Sequence, residues 1–365
     1  MWKEMRNAAY IVGITVLYVA AGKFGLDLAF VHPSVTAVWA PTGIALVAFL
    51  LCGNRVWPGI MIGAFVVNLT TSGSIPISLG IAIGNTLEAA TGAYLLKKYA
   101  NGINVFERVQ DILKFILTAA LLSTMVSATI GVTSLVLGHA ADWKNYGSLW
   151  MTWWLGDAVG DLIIAPLLLL WGMGWRKRWD VRNVLEFALL MGLLYIAGQV
   201  VFGGLLPLRV KNDPLTFVCT PIIIWAAFWF DQREIAASNL MISAIAIWGT
   251  LKGNGPFVRP SQNESILLLQ AFMGITSIMS IAVAGLVSER RKLIAELQHM
   301  LAQVKTLRGL LPICAWCKKI RDDGGYWLEV ETYLHEHSEV EFSHGVCPDC
   351  LIKYKSEYIR KRQIT

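Results

Sequence analysis

The sequence predicts an all-α polytopic membrane helix bundle of about ten spans. A short coiled coil and a small zinc-ribbon or knuckle-like module follow it. Three observations predict this. Of 365 residues, 55% are hydrophobic and 15% are charged, against roughly 25% charged in soluble globular chains. The apolar sequence runs almost unbroken from the start to residue 288, with a mean hydropathy of +0.55 for the whole chain and 15 Trp. Two pairs, Cys314-x2-Cys317 and Cys347-x2-Cys350, then stand 29 residues apart near the end. The expected division is a bundle over 1–288, a coiled-coil linker over 289–309 and a Cys-rich module over 310–365.

A helical span needs about 20 mainly apolar residues. Ten stretches qualify: 7–30, 35–53, 56–71, 76–97, 110–138, 147–173, 183–204, 215–231, 234–252 and 264–288. Gly and Pro interrupt several, so the count runs from eight to ten. The first follows a basic start, Met1 to Arg6, but no small-residue cleavage site succeeds Ala8 to Ala21. It reads as a span rather than a removed leader.

Loop charges set the orientation. Fourteen Lys and Arg, from Lys3 and Arg6 to Arg290, Arg291 and Lys292, fall at one set of alternating ends. The other set holds six: Lys23, Lys144, Arg209, Lys211, Lys252 and Arg259. The richer side is cytoplasmic, which puts both termini in the cytoplasm. The net charge of +6 therefore reads as orientation in a bilayer, not as affinity for nucleic acid.

Asn68, Asn85, Glu88, Asp157 and Asp161 lie inside spans. A carboxylate at membrane depth costs about 2.5–3.5 kcal/mol or more, so it faces a cavity or a partner. Asp157 and Asp161 are four apart and share one helical face. Two carboxylates there point to a cation, a basic ligand group or a shared proton. The structural alternative pairs them with loop Lys or Arg, or sets them at the interface. Trp150, Trp153 and Trp154 form either an interfacial belt or one wall of a pocket. The candidate ligand-binding set is Asp157, Asp161, Glu88, Asn68, Asn85, Trp153 and Trp154. Cys52 and Cys219, inside apolar stretches, read as small packing residues.

The linker repeats Leu286, Leu293, Met300 and Leu307 every seven residues, with Leu297, Val304 and Leu311 on the alternate seam. This is a short parallel coiled-coil pattern, and it implies a homodimer through 286–311. The alternative is an amphipathic helix lying on its own module or on the membrane surface.

In the module, a CxxC turn places two sulfurs together, and two such turns suit one tetrahedral zinc. A reducing cytoplasm keeps those thiols free. The cofactor expected is one zinc per chain on Cys314, Cys317, Cys347 and Cys350. A mixed site using His335, His337 or His344, and a thiol redox switch, are the alternatives. Haem attachment needs CxxCH, but Lys318 and Leu351 follow the pairs. A short helix is expected over 327–336, with Trp327, Val330 and Leu334 inward and Trp316, Tyr326 and Phe342 adding to the core. From 309 to 365, 8 Lys and Arg face 9 Asp and Glu, which gives no basic field for nucleic acid.

Residues 8–288 resemble the membrane-associated sensor domain of the first class, MASE. The matching stretches are VWAPTGIALVAFLLCG at 38–53, WPGIMIGAFVVNL at 57–69, GNTLEAATGAYLL at 84–96, WWLGDAVGDLIIAPLLL at 153–169 and WGTLKGNGPF at 248–257. The resemblance implies a bacterial inner-membrane sensory input, of the kind joined to histidine kinases, diguanylate cyclases or phosphodiesterases. It names no ligand. The tail, with LPIC-x2-CKKIRDD-x-GYW and FSHG-x-CPDC, resembles a Cys-rich module found after PAS or receiver domains in signalling proteins. No GGDEF-type loop, kinase His box or ATP-binding motif follows residue 288, so no catalytic residue and no enzyme are expected. The expected function is sensory signal transduction of the two-component kind: the bundle detects a membrane or periplasmic cue and passes it through the coiled coil to the zinc module, which docks a cytoplasmic signalling protein. A carrier using the intramembrane carboxylates and a membrane-bound thiol redox protein are the alternatives.

Overall fold

A computed structural model describes residues 2–27, 36–174, 180–204, 218–303, 311–322, 324–337 and 341–354. The described chain divides into two compact units, Met1–Arg291 and Lys292–Thr365.

In the first unit the apolar runs become helices α1 (Trp2–Asp27), α2 (Ala40–Cys52), α3 (Trp57–Ser72) and α4 (Ile75–Tyr99). Next come α5 (Val109–Lys114) and α6 (Thr124–Leu137), joined by a π-helical segment, Phe115–Ser123. Helices α7 (Tyr146–Gly174), α8 (Val181–Val201), α9 (Cys219–Ala227), α10 (Gln232–Leu251) and α11 (Gln262–Gln303) complete it. Pro41, Pro58 and Pro76 stand in the first turns of α2, α3 and α4. There a missing N–H costs nothing and a fixed φ favours the helix. Gly73, at φ 70°, ends α3 in the left-handed conformation that glycine adopts without strain.

Cross-helix contacts fix the directions of the first passes. Thr15 of α1 donates to Gly59 O of α3, and Lys23 donates to Thr71 near the other end, so these two helices run parallel. Trp39, at the start of α2, meets Gly22 and Gly25 at the end of α1, so α2 runs the opposite way. Helices α2 and α3 are therefore antiparallel, joined by the tight turn Gly53–Val56. Lys97 at the foot of α4 donates to Phe49 O at the foot of α2. Gly80 and Gly92 of α4 meet Ser134 and Ser123, so the next span rises beside α4 in the opposite sense. Near the foot of α11, Glu289 accepts from Val109 N at the start of that span, 2.9 Å away. Arg291 donates to Phe228 O just beyond α9.

Seven helical stretches among the described residues are long and apolar enough to cross a membrane. The expectation of ten is met only that far. Residues 40–71 read as one stretch by composition, although α2 and α3 run in opposite directions within it. Helix α4 falls out because Asn85 and Glu88, in its middle, depress its hydropathy. The span expected over 215–231 is represented by the nine residues of α9, with 215–217 outside the described residues. Helix α11 continues through the place where the linker was expected to begin.

In the second unit, β1 (Ile320–Arg321) and β2 (Trp327–Leu328) pair antiparallel, Ile320 opposite Leu328. Asp322 closes the turn by accepting from Tyr326 N at 2.7 Å. Helix α12 (Val330–His337) follows, so the helix expected from 327 starts three residues later, and Trp327 lies in a strand. The expected aromatic core is not formed either. Trp316 is 96% exposed, and Tyr326, Trp327 and Phe342 are exposed too. Among the described residues of this unit only Ile320 and Tyr333 are buried hydrophobics.

Candidate functional site

The bundle's polar side chains converge on one centre. Asp157 and Asp161, one helical turn apart on α7, are each 1% exposed, as is Glu88 on α4. Glu88 lies within electrostatic reach of both. Thr42 of α2 donates to Asp157 Oδ1 at 3.3 Å. A chain of donors runs beside them: Trp153 Nε1 to Ser127 Oγ at 3.2 Å, Ser127 Oγ to Asn85 Oδ1 at 2.9 Å, and Asn85 Nδ2 to Tyr18 Oη at 2.8 Å. Glu88 Oε1, Asp157 Oδ2 and Asp161 Oδ1 are buried with no donor among the described residues. No described Lys, Arg or His forms an ion pair with any of the three. Carboxyl groups buried with no cation beside them are neutralised by protons or by an ion from outside the chain.

A cavity of about 20 Å³ opens against Asp157, lined also by Asn68, Asn85, Trp39, Trp153 and Thr36. That is room for about one water. Glycine makes the centre close. Trp39 N donates to Gly156 O at 3.0 Å, and a Cβ on Gly160 would collide with the Trp39 carbonyl. Gly156 and Gly160 thus form the small-x3-small face that lets α7 take the start of α2 backbone to backbone.

The structure gathers six of the seven residues singled out in the bundle: Asp157, Asp161, Glu88, Asn68, Asn85 and Trp153. Trp154 goes elsewhere. It stacks on Trp150 at 5.6 Å and donates to Leu121 O at 2.9 Å in the π segment. Tyr18, Thr42, Ser127 and Gln270 were not anticipated. Gln270, fully buried, donates to Thr36 O and Thr152 O while its own Oε1 has no described donor. The hydroxyls of Tyr18, Thr42 and Ser127 are too common in spans to stand out, whereas Gln270, an amide within the stretch 264–288, was as visible as Asn68 and Asn85.

In the head, the two pairs sit in turns of the expected kind. Cys314 N donates to Lys319 O, Lys318 N donates to Cys314 O, and Lys318 takes a φ of 63°. Cys350 N donates to Cys347 Sγ at 3.4 Å, where a helical stretch, 348–354, begins. The backbone N–H groups of Cys317 and Trp316 hold the Cys314 thiol below its usual range. The Cys350 N–H does the same for Cys347. Both pairs thus offer thiolate-prone sulfur, the donor that zinc takes. Yet no three His, Cys, Asp or Glu among the described residues are placed to hold a metal, so each pair is formed but the two are not joined. His337 is engaged with Tyr333 O and His344 with Glu331.

The family model described as MASE1 matches residues 11–291. A curated relative, the probable diguanylate cyclase DgcE of Escherichia coli (strain K12), is 26% identical over 215 residues. The match covers 58% of this chain and 18% of the relative, so the chain spans under a fifth of that protein. No solved structure matches. The expectation that no enzyme is involved is corrected here: the relative is, by name, a cyclase. The missing motifs after residue 288 did not carry that conclusion.

Proposed function

Because the chain belongs to the MASE1 family of membrane-associated sensors, we propose that the acidic centre is its sensory element. In this reading a cue alters the centre, and α11 carries the change toward a cytoplasmic signalling partner. The observation behind it is the set of three buried carboxyl groups on two helices, each with an oxygen lacking a donor among the described residues. The cyclase likeness brings cyclic-dinucleotide signalling as the pathway, so intracellular cyclic diguanylate is the readout. Asp157→Asn and Asp161→Asn are expected to leave the protein inserted while shifting output about 5- to 150-fold, a coupling of about 1–3 kcal/mol. Lower abundance with normal output per molecule would make the pair structural. Unchanged output and abundance in both single variants and the double would discard the idea.

The bundle, in this reading, makes ten passes with both of its ends on the cytoplasmic face of a bacterial inner membrane, and the alternation of α1 to α4 and the span 109–137 is in keeping with that. The fourteen-to-six charge bias agrees. A periplasm-only reporter fused after Thr365 should stay silent, and a strong signal from it refutes the topology. Leu286, Leu293, Leu297 and Met300 are all exposed along α11, a stripe that a second copy would cover as a coiled coil. Val304 and Leu307 of that pattern lie outside the described residues. The head, in this reading, closes on one zinc through Cys314, Cys317, Cys347 and Cys350, and so presents a fixed surface to the partner.

A further inference from the structure

A second cavity, of about 350 Å³, lies on the other side of the Thr36–Ala40 segment from the acidic centre. Its walls are Ala21, Phe24 and Gly25 of α1, Ile163 and Ile164 of α7, and Leu240 to Trp248 of α10. The volume is that of a small-ligand site. The chemistry of the lining selects the ligand. Among the described lining residues none is charged, and the side-chain hydroxyls are those of Thr36 and Ser243. Thr36 Oγ1 already donates to Val38 O at 3.0 Å. Water gains little in such a cavity, and nothing in it is arranged to hold a polar ring or headgroup. A lining of this kind suits hydrocarbon.

The rim says where that hydrocarbon comes from. Phe24 is 68% exposed and Trp248 57% exposed, both on helices apolar enough to face lipid. Lys252, one turn beyond Trp248, holds its ammonium 5.0 Å from the Trp248 ring. An apolar cavity entered from the bilayer, with a cation at its mouth, matches one acyl chain of a lipid whose phosphate rests on that cation. We propose that this cavity binds one acyl chain of an anionic phospholipid, with Lys252 holding the headgroup.

Occupancy reaches the acidic centre by contact. Thr36 lines both cavities. The same short segment is fastened to α11 through Gln270 and to α7 through Trp39 and Gly156. A chain that presses on residues 36–40 therefore presses on the lid of the centre. This last step rests on the sensory reading above; the binding itself does not.

The test uses full-length protein in vesicles containing phosphatidylglycerol with a photoactivatable group on one acyl chain. Labelled peptides are mapped by mass spectrometry. The expected result is enrichment over α10, residues 240–248, relative to the lipid-exposed stretch around Leu189 of α8. Excess unlabelled phosphatidylglycerol should lower it, Ala244→Trp should reduce it to the α8 level, and Lys252→Gln should weaken it. Equal labelling of α10 and α8, or labelling that neither competitor nor Ala244→Trp reduces, overturns the site. Labelling by a free fatty acid as strong as by phosphatidylglycerol, with Lys252→Gln without effect, overturns the phospholipid. Confirmed labelling with output unchanged in Ala244→Trp leaves the binding standing and removes only its link to the acidic centre.

Discussion

Stripping zinc from the full-length protein is expected to unfold residues 311–354 and leave the bundle folded. The described head buries Ile320 and Tyr333 and little else, while Trp316 is almost fully exposed. A core that small cannot offset the entropy of ordering the chain. A structural zinc supplies on the order of 10–16 kcal/mol in small zinc-dependent folds, which outweighs anything the hairpin and α12 contribute. Hydrogen exchange with and without chelator reads the outcome. Protection should vanish over 311–354 and persist over the span 109–137. One zinc per chain should be present before treatment, and the Cys347→Ser, Cys350→Ser double variant should lose it. Full zinc retention by that variant, or protection indifferent to the chelator, would sink the four-thiolate head.

The second large effect is expected at Gly160. A side chain there meets the Trp39 carbonyl, and on the facing helix a Cβ at Gly43 would lie 2.8 Å from Ile164 Cβ. Both collisions involve backbone or the stem of a side chain, which cannot swing aside. Overpacking typically costs about 1–3 kcal/mol and occasionally more, and Gly160→Leu falls at the upper end because it separates α2 from α7. Gly192 on α8 has nothing within 4 Å of the place a Cβ would take, so Gly192→Leu should be neutral. Folded yield in detergent, measured by size exclusion, should collapse for the first and hold for the second. Equal yields refute the close α2–α7 approach.

The helical bundle was legible because lipid leaves a chain few other ways to satisfy its backbone, and that constraint writes itself as long apolar runs. The number of membrane-crossing segments was less legible. Helix α4 turns Asn85 and Glu88 to its buried face while Leu79, Ile83 and Leu87 stay exposed, so it tolerates polar groups at a hydropathy below that of an all-apolar span. The direction of α2 against α3 follows from where Trp39 and Gly59 dock, which no window of composition reports. Asp157 and Asp161 were visible as a pair because charge inside a span is rare. Ser127 and Tyr18, which complete the hydrogen-bond chain, were not, because a hydroxyl costs too little at that depth to mark its place. In the head the knuckles followed from Cys spacing. The aromatic core failed because hydrophobicity alone does not bury a side chain when too few neighbours exist to cover it.

The π-helical turns at Phe115–Ser123 give their span a mechanical property that a uniform helix lacks. One end of the span is held where Glu289 of α11 caps Val109, and the other where Ser127 joins the acidic centre. Between them the ladder is loosened, and the Leu121 carbonyl is met from outside by Trp154. Gaining or losing a single residue of winding in that stretch turns one end against the other by about 100° and shifts it by about 1.5 Å along the axis. Any rewinding of this span therefore couples a turn to an axial step between Val109 and Ser127, the two points where it is fastened.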